Sequence, residues 1–426
     1  MARFRQAIIY LIMKFNSSRA FADKLDSKDS LYSLKEKFNS PISNPIYLCG
    51  HSLGLQPKSV KEYIQIELDS WSELGVDGHM NGENPWLDYH CLLTKQMSKI
   101  VGAKESETVV MNSLTANLHL LMISFFKPTK EKYKIIIDTP SFPSDKYAVQ
   151  SQLKLNGLDP ENDLIEISTL RDDKCISNEE MLHNIESNID NVAMIMISGV
   201  NYYTGQLYDI ESISNLAHKN NCIIGLDLAH AAGNVELKLN QWNIDFAAWC
   251  GYKYLNGGPG APSGAYINEN YHNDNLNRLE GWWGHDKGTR FDPPNLFNPI
   301  KGAEAWQLSN PPILSMAALR SAIKLFDEIG MNDLRKKSIG LTGYLESMIQ
   351  SLDNNNISII TPSDPSQRGS QLSLKINSSN TNVESFLKSK NITCDFRKPN
   401  VIRAAPCAFY NSYSDVYNFV EVLNEL

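Results

Sequence analysis

Between Val109 and Trp249 the chain repeats one pattern: a short apolar segment, often β-branched, followed by a longer segment of helical period. The short segments are Val109–Met111, Ile135–Asp138, Leu164–Ile167, Val192–Ser198, Ile223–Leu228 and Phe246–Trp249. Nearly continuous apolar strands alternating with helices predict an α/β fold, with a mostly parallel sheet covered by helices on both faces. Leu114, Leu118, Leu121, Met122 and Phe125 fall at i, i+4, i+7, i+8 and i+11, one face of a helix. Pro143 followed by Asp145 reads as a helix start, and Asn156-Gly157 as its stop. In such sheets ligands bind beyond the carboxyl ends of the strands, so the residues just after each strand carry most of the functional information.

Length and composition narrow the field further. A chain of 426 residues suggests two or three domains. With 42% hydrophobic and 21% charged residues it matches ordinary globular proteins, which excludes disorder, collagen and coiled coil as whole-chain descriptions. The net charge of −8 argues against a nucleic-acid binder, which would carry a basic surplus. Seven widely spaced cysteines without a C-x-x-C pattern read as reduced thiols in a cytoplasmic protein, and nine histidines without H-E-x-x-H offer no metal motif. No apolar run is long enough to span a membrane. The run Ala7–Met13, flanked by Arg3, Arg5 and Lys14, reads as an N-terminal packing helix rather than a targeting signal. We expect an N-terminal segment (1–45) packing with the small domain, a large domain (46–310) and a smaller α+β C-terminal domain (311–426). Residues Asp286–Pro299 read as a long loop, and Asp353–Asn356 and Ser378–Asn382 as surface turns.

The stretch Ile223–Gly260 carries the strongest chemical signal. One apolar strand delivers Asp227 and then His230; a second delivers Tyr252 and Lys253, followed at once by Gly257-Gly258-Pro259-Gly260. A desolvated lysine at the mouth of a sheet can form a Schiff base. An aspartate on the neighbouring strand can hold a pyridinium nitrogen protonated, and with a phosphate cradle these are the requirements of pyridoxal phosphate. Asn112-Ser113-Leu114-Thr115, at a strand-to-helix junction, could supply that cradle, and Phe142 could stack on the ring. Taken singly, each residue reads more readily as a cap, a turn or a core side chain. Their joint spacing favours the cofactor.

The chain also closely resembles the kynureninases. The stretches that carry the resemblance are YLCGHSLGLQPKSV (Tyr47–Val60), NSLTANLHLLMISFFKP (Asn112–Pro128), SFPSDKYAVQSQLKLNG (Ser141–Gly157), SGVNYYTGQ (Ser198–Gln206), the Asp227–Gly260 block, GWWGH (Gly281–His285), LSNPPIL (Leu308–Leu314) and IRAAPCAFYNSYSDVY (Ile402–Tyr417). They extend from about Phe21 to the C-terminus. The resemblance implies a pyridoxal-phosphate enzyme of fold type I, the aspartate-aminotransferase-like fold. It further implies hydrolytic Cβ–Cγ cleavage of kynurenine or 3-hydroxykynurenine, giving alanine plus anthranilate or 3-hydroxyanthranilate, in tryptophan catabolism and NAD biosynthesis. By the same resemblance Lys253 is the Schiff-base lysine, Asp227 the partner of the pyridinium nitrogen with His230 close by, and Tyr252 a phosphate contact and proton donor. Leu114, Thr115, Ser198 and the turn Phe142, Pro143, Ser144 and Asp145 are implied cofactor contacts. Trp282 and Asn310 are implied to reach the cofactor region across a homodimer interface. Arg403 is the implied carboxylate clamp, and His79, Ser309 and Asn310 the implied readers of a 3-hydroxy group. The family usually carries Asn where His51 stands, and the second proline in Gly-Gly-Pro-Gly-Ala-Pro-Ser is unusual. The runner-up readings are an aminotransferase or a cysteine desulfurase of the same fold, the latter with Cys394 as nucleophile. A catalytically dead scaffold is the alternative from another class.

Overall fold

The computed structural model describes residues 15–43, 45–169, 175–293, 296–352, 356–377 and 382–426. The Ala7–Met13 run lies outside them. So do residues 353–355 and 378–381 of the two expected turns, and residues 294–295 of the expected long loop.

Among the described residues three α-helices precede the large sheet: α1 (Arg19–Lys28), α2 (Val60–Leu74) and α3 (Cys91–Val101). The sheet then builds in alternation: β1 (Thr108–Met111), α4 (Leu114–Phe125), β2 (Lys134–Asp138), α5 (Pro143–Leu155), β3 (Leu164–Ile167), α6 (Asn178–Glu186), β4 (Val192–Ser198), α7 (Ile210–Lys219) and β5 (Ile223–Asp227). The strands β6 (Phe246–Trp249) and β7 (Ser263–Ile267) complete it. The spatial order is β1-β7-β6-β5-β4-β2-β3. All neighbours are parallel except β7, which runs antiparallel to both β1 and β6. The helix expected from Pro143 ends as expected, with Gly157 at φ 73° just beyond it.

Alternation within the buried strands sorts side chains between the two faces. Ile195 and Ile197 of β4 enter one core with Leu93, Met97 and Trp249, whereas Met194 and Met196 enter the other with Leu118, Leu121 and Phe125. The strand β7 was not expected, because Ser263 and Gly264 dilute its apolar signal. Gly264 is there for space: a Cβ would stand 2.3 Å from the fully buried Trp249 indole.

The chain order around the sheet reverses between β2 and β4. From β2 it passes outward to β3, and from β4 it proceeds the other way to β5 and β6. A crevice forms at such a switch point, outside the carboxyl ends of the strands.

After the sheet come α8 (Ile313–Ile329) and α9 (Met331–Gln350). A four-stranded antiparallel sheet follows, of β8 (Ile357–Ile359), β9 (Leu372–Ile376), β10 (Asp395–Arg397) and β11 (Val401–Ala404), in the order β8-β9-β11-β10. It is accompanied by α10 (Val383–Ser389) and α11 (Tyr413–Leu423). The expected start of the small domain at 311 places α8 with the wrong core. Met316, Leu319, Ile323 and Phe326 of α8 pack into the core shared with α3, and the second core begins with Leu341 and Leu345 of α9. That second core also takes Ala22 and Leu25 of α1.

The contact between α1 and α11 is polar as well as apolar. Asp26, 7% exposed, accepts from Tyr413 N (2.7 Å), Ser414 N (3.1 Å) and Ser414 Oγ (2.5 Å). The next free N–H of α11 is taken by Ser412, whose own N–H is returned to Asp415. An aspartate donated by one helix thus caps the N-terminus of another. Asp26→Ala leaves two buried N–H groups unpaired and is expected to cost about 2–3 kcal/mol. Urea unfolding should show a lower midpoint at unchanged slope.

Candidate active site

The crevice at the switch point is held by a buried carboxylate. Asp138, at the end of β2, accepts from Ser198 N (3.0 Å), Ser198 Oγ (2.5 Å), Asn201 Nδ2 (3.0 Å) and Tyr208 OH (3.1 Å). Burial pushes its carboxyl up, and these four donors oppose the shift. The bonds draw the loop after β4 against the end of β2. In the next strand pair Ser198 stands in register with Asp227, so the floor continues across the sheet.

Above this floor lies a cavity of about 160 Å³. Asp227 and His230 reach it from the end of β5, Tyr252 and Lys253 from the turn after β6, and Phe142, Ser144 and Asp145 from the start of α5. Leu114 and Thr115 reach it from the start of α4. Sequence reasoning therefore brought together residues from four strand ends. Ser198 also lines the cavity, and Pro143 is the first residue of α5.

Asp145 and Asp227 are neighbours, and their charges oppose one another. Burial pushes the Asp145 carboxyl well above the usual carboxylate range; the adjoining Asp227 pushes it further, and Lys253 works against this. Asp145 Oδ1 is shut off from solvent without a donor, while Asp227 Oδ1 accepts from Ala229 N (2.7 Å). Two carboxylates so placed must share a proton or face a cation. The Lys253 ammonium makes no ion pair with the described residues, and its Nζ stands 5.8 Å from the Phe142 ring centre. Burial and then the nearby Cys250 raise the Tyr252 phenol to about 12, so it is a proton donor at neutral pH. His230 is pushed well below its ordinary value, first by burial and then by Lys253 and Arg403.

Where the starts of α4 and α5 meet, the cavity also suits an anion. Neither α4 nor α5 has a side-chain cap at its N-terminus, and Thr115 Oγ1 meets Ser144 Oγ at 2.8 Å where the two helices converge. Free N–H groups and hydroxyls at two helix starts form a phosphate cradle. A buried carboxylate lacking a donor, an uncommitted amine and this cradle, all in one cavity, fit pyridoxal phosphate.

Besides Pro143, five of the expected residues do not line the cavity of the single chain. Arg403 is buried in β11, with Nε on Asp395 (2.6 Å) and Nη1 on the Tyr202 carbonyl (2.6 Å). Trp282 is 47% exposed and donates to the Arg290 carbonyl (2.7 Å). Ser309 and Asn310 are exposed and bonded to each other (3.3 Å), and His79 packs edge-on against Trp86. Sequence reasoning assigned no role to Asp138 or Tyr202. Asp138 carried the same signal as Asp227, an acid ending an apolar strand. Tyr202 had no signal beyond its place after β4.

Residues 334–423 match the family model described as the kynureninase C-terminal domain. The chain is 47% identical to a kynureninase of Koribacter versatilis, over 96% of this chain and 97% of that protein. Identity is 48% to a kynureninase of Myxococcus xanthus, over 96% and 97%. It is 41% to one of Nematostella vectensis, over 96% and 93%.

The chain belongs to the kynureninase family.

Among solved structures, the fold is shared with the cystine C-S lyase C-DES carrying glycine covalently linked to its pyridoxal-phosphate cofactor. That likeness has a TM-score of 0.78 at 15% identity, over 92% of this chain and 99% of that one. A cysteine desulfurase of Thermococcus onnurineus has a TM-score of 0.73 at 19% identity, over 89% and 94%. These likenesses establish fold type I, as expected. The surroundings of Cys394 do not favour a desulfurase nucleophile in this kynureninase-family chain. That residue sits between two short strands, and burial, Cys49 and Asp395 push its thiol well up.

Replacing Asp138 by Asn turns an acceptor-only group into one with its own N–H donors, facing donors from Ser198, Asn201 and Tyr208. We expect a loss of about 2–4 kcal/mol in unfolding free energy and weaker cofactor retention on dialysis, read as lost visible absorbance.

Proposed function

We propose that this chain is a kynureninase: a pyridoxal-phosphate-dependent hydrolase that cleaves the Cβ–Cγ bond of an aryl-keto amino acid. The observation that carries the reading is the set Lys253, Asp227, Asp145 and Tyr252 in one cavity, in a chain 47% and 48% identical to two kynureninases over 96% of its length. When bound, the cofactor would supply an electron sink for negative charge on the substrate carbons. The chain's own residues do the rest. Lys253, uncommitted to any carboxylate, would hold the cofactor and move the α-proton. Asp227, fixed by Ala229 N–H, would hold a proton on the ring nitrogen, and the raised Asp145 beside it limits the competing charge. Tyr252 stays protonated at neutral pH and can donate after the carbon–carbon bond breaks. Leu114, Thr115 and Ser144 would hold the phosphate, and Phe142 would cover the ring. Arg403 is the anchor for the substrate carboxylate, since its Nη2 makes no hydrogen bond among the described residues.

Purified protein given L-kynurenine and 3-hydroxykynurenine separately should release alanine with anthranilate or 3-hydroxyanthranilate. Lys253→Ala should lower kcat by more than about 10³-fold while keeping the fold. We infer that His79, Ser309 and Asn310 read the ring hydroxyl, so that kcat/KM favours the 3-hydroxy substrate by more than about tenfold, or 1.4 kcal/mol. Absence of the aromatic product from both substrates, with cofactor bound, would overturn the assignment.

We further infer a cytoplasmic homodimer with shared sites. The seven cysteines are free, which favours a reducing compartment. Trp282, Phe291 and Leu296 are exposed apolar residues on one stretch of chain, and Trp282 and Phe291 rings meet at 5.4 Å. Such a surface favours burial against a second copy, which would bring Trp282 and Asn310 to the partner's cavity. Mixed Lys253→Ala and Asn310→Ala subunits should recover up to about a quarter of wild-type activity if the sites are shared. Recovery no greater than the sum of the two separate variants would rule out sharing.

A further inference from the structure

The segment Leu48–Gly54 ties the strand that carries Arg403 to the turn that carries Lys253. At one end the Leu48 carbonyl accepts from Ala405 N (2.9 Å), two residues beyond Arg403. At the other, Gly54 N donates to the Tyr252 carbonyl (2.9 Å), and a Cβ on Gly54 would lie 2.4 Å from the Lys253 carbonyl oxygen. His51 stands midway. Its side chain is fully buried, and neither Nδ1 nor Nε2 has a hydrogen-bond partner. Its ring lies 6.1 Å from that of His230, which lines the cofactor cavity.

A buried imidazole with both nitrogens unpaired is costly unless a ligand completes it. Burial, followed by Arg403, Lys253 and Arg397, holds His51 well below its ordinary pKa, so the ring is neutral and offers one N–H. Arg403 has already spent Nε on Asp395 and Nη1 on Tyr202, which leaves only Nη2 for a ligand. A carboxylate has two oxygens and about four acceptor sites, more than one guanidinium N–H pair can satisfy.

We propose that His51 donates its ring N–H to the α-carboxylate of the bound amino acid, as the second member of the clamp begun by Arg403. The inference rests on the reading of Arg403 as carboxylate anchor. It makes His51 a substrate-binding residue that links carboxylate recognition to the Lys253 turn through the seven residues Leu48–Gly54.

The test uses holoenzyme and two probes: L-alanine, and ethylamine, which has the same skeleton without the carboxylate. Each is titrated while the visible absorbance of the bound cofactor is followed. His51→Phe keeps a ring but removes the N–H; His51→Leu serves if the Phe variant does not fold. Either is expected to raise the half-saturating alanine concentration at least tenfold and leave that for ethylamine within twofold. His51→Asn, which keeps a donor, should restore most alanine binding. With kynurenine, KM should rise more than kcat falls. Equal weakening of both probes, or unchanged alanine binding, overturns the proposal. Arg403→Gln separates the two readings. If this variant alone weakens alanine, only the His51 assignment fails; if it binds alanine as wild type does, the anchor reading itself fails.

Discussion

The site depends on one buried charge. Asp138 sits in the sheet core with four donors converging on it, and these bonds draw the loop after β4 against the end of β2. A carboxylate moved from water into such surroundings is tolerated only when its oxygens are fully bonded. The cost of its burial is therefore also a geometric specification: Ser198, Asn201 and Tyr208 must each take one place. That fixes Ser198 beside Asp227, and Asp227 beside the turn of Lys253.

The cavity holds acidic and anion-binding groups side by side. Burial and the adjoining Asp227 push the Asp145 carboxyl well up, which leaves Asp227 as the carboxylate suited to a protonated ring nitrogen. The two uncapped helix starts favour phosphate. A ligand with a cationic ring and an anionic tail finds partners for both in one cavity.

Much of this was legible in the sequence, and for definable reasons. Strands such as Val192–Ser198 and Phe246–Trp249 are apolar on both faces because both faces are buried, and they were read to the residue. Lys253, Asp227 and the Phe142–Asp145 turn could be singled out because each follows a strong local signal. The strand Ser263–Ile267 was missed because Gly264 yields its side-chain volume to Trp249, a relation visible only across the sheet. The helix Ile313–Ile329 was read correctly as a helix but joined to the wrong core, since its period says which face is apolar and not what that face meets. Asp138 was passed over although its strand was found. Its importance lies in partners 60 to 70 residues away, and no local pattern announces those.

The Asp26 cap has a consequence in time. Its partners on the last helix lie 387 residues downstream. At about 5–20 residues per second, synthesis separates the two by roughly 20–80 s. The strand pairing of Ile46–Tyr47 with Ile392–Thr393 waits nearly as long. During that interval the large sheet can complete itself, whereas Ala22 and Leu25 have no core to enter and remain open to solvent or to a chaperone. The second core closes as a late event that needs both ends of the chain at once. A nascent chain halted short of Tyr413 would thus carry a finished cofactor floor beside an unsealed apolar helix, a natural target for quality control.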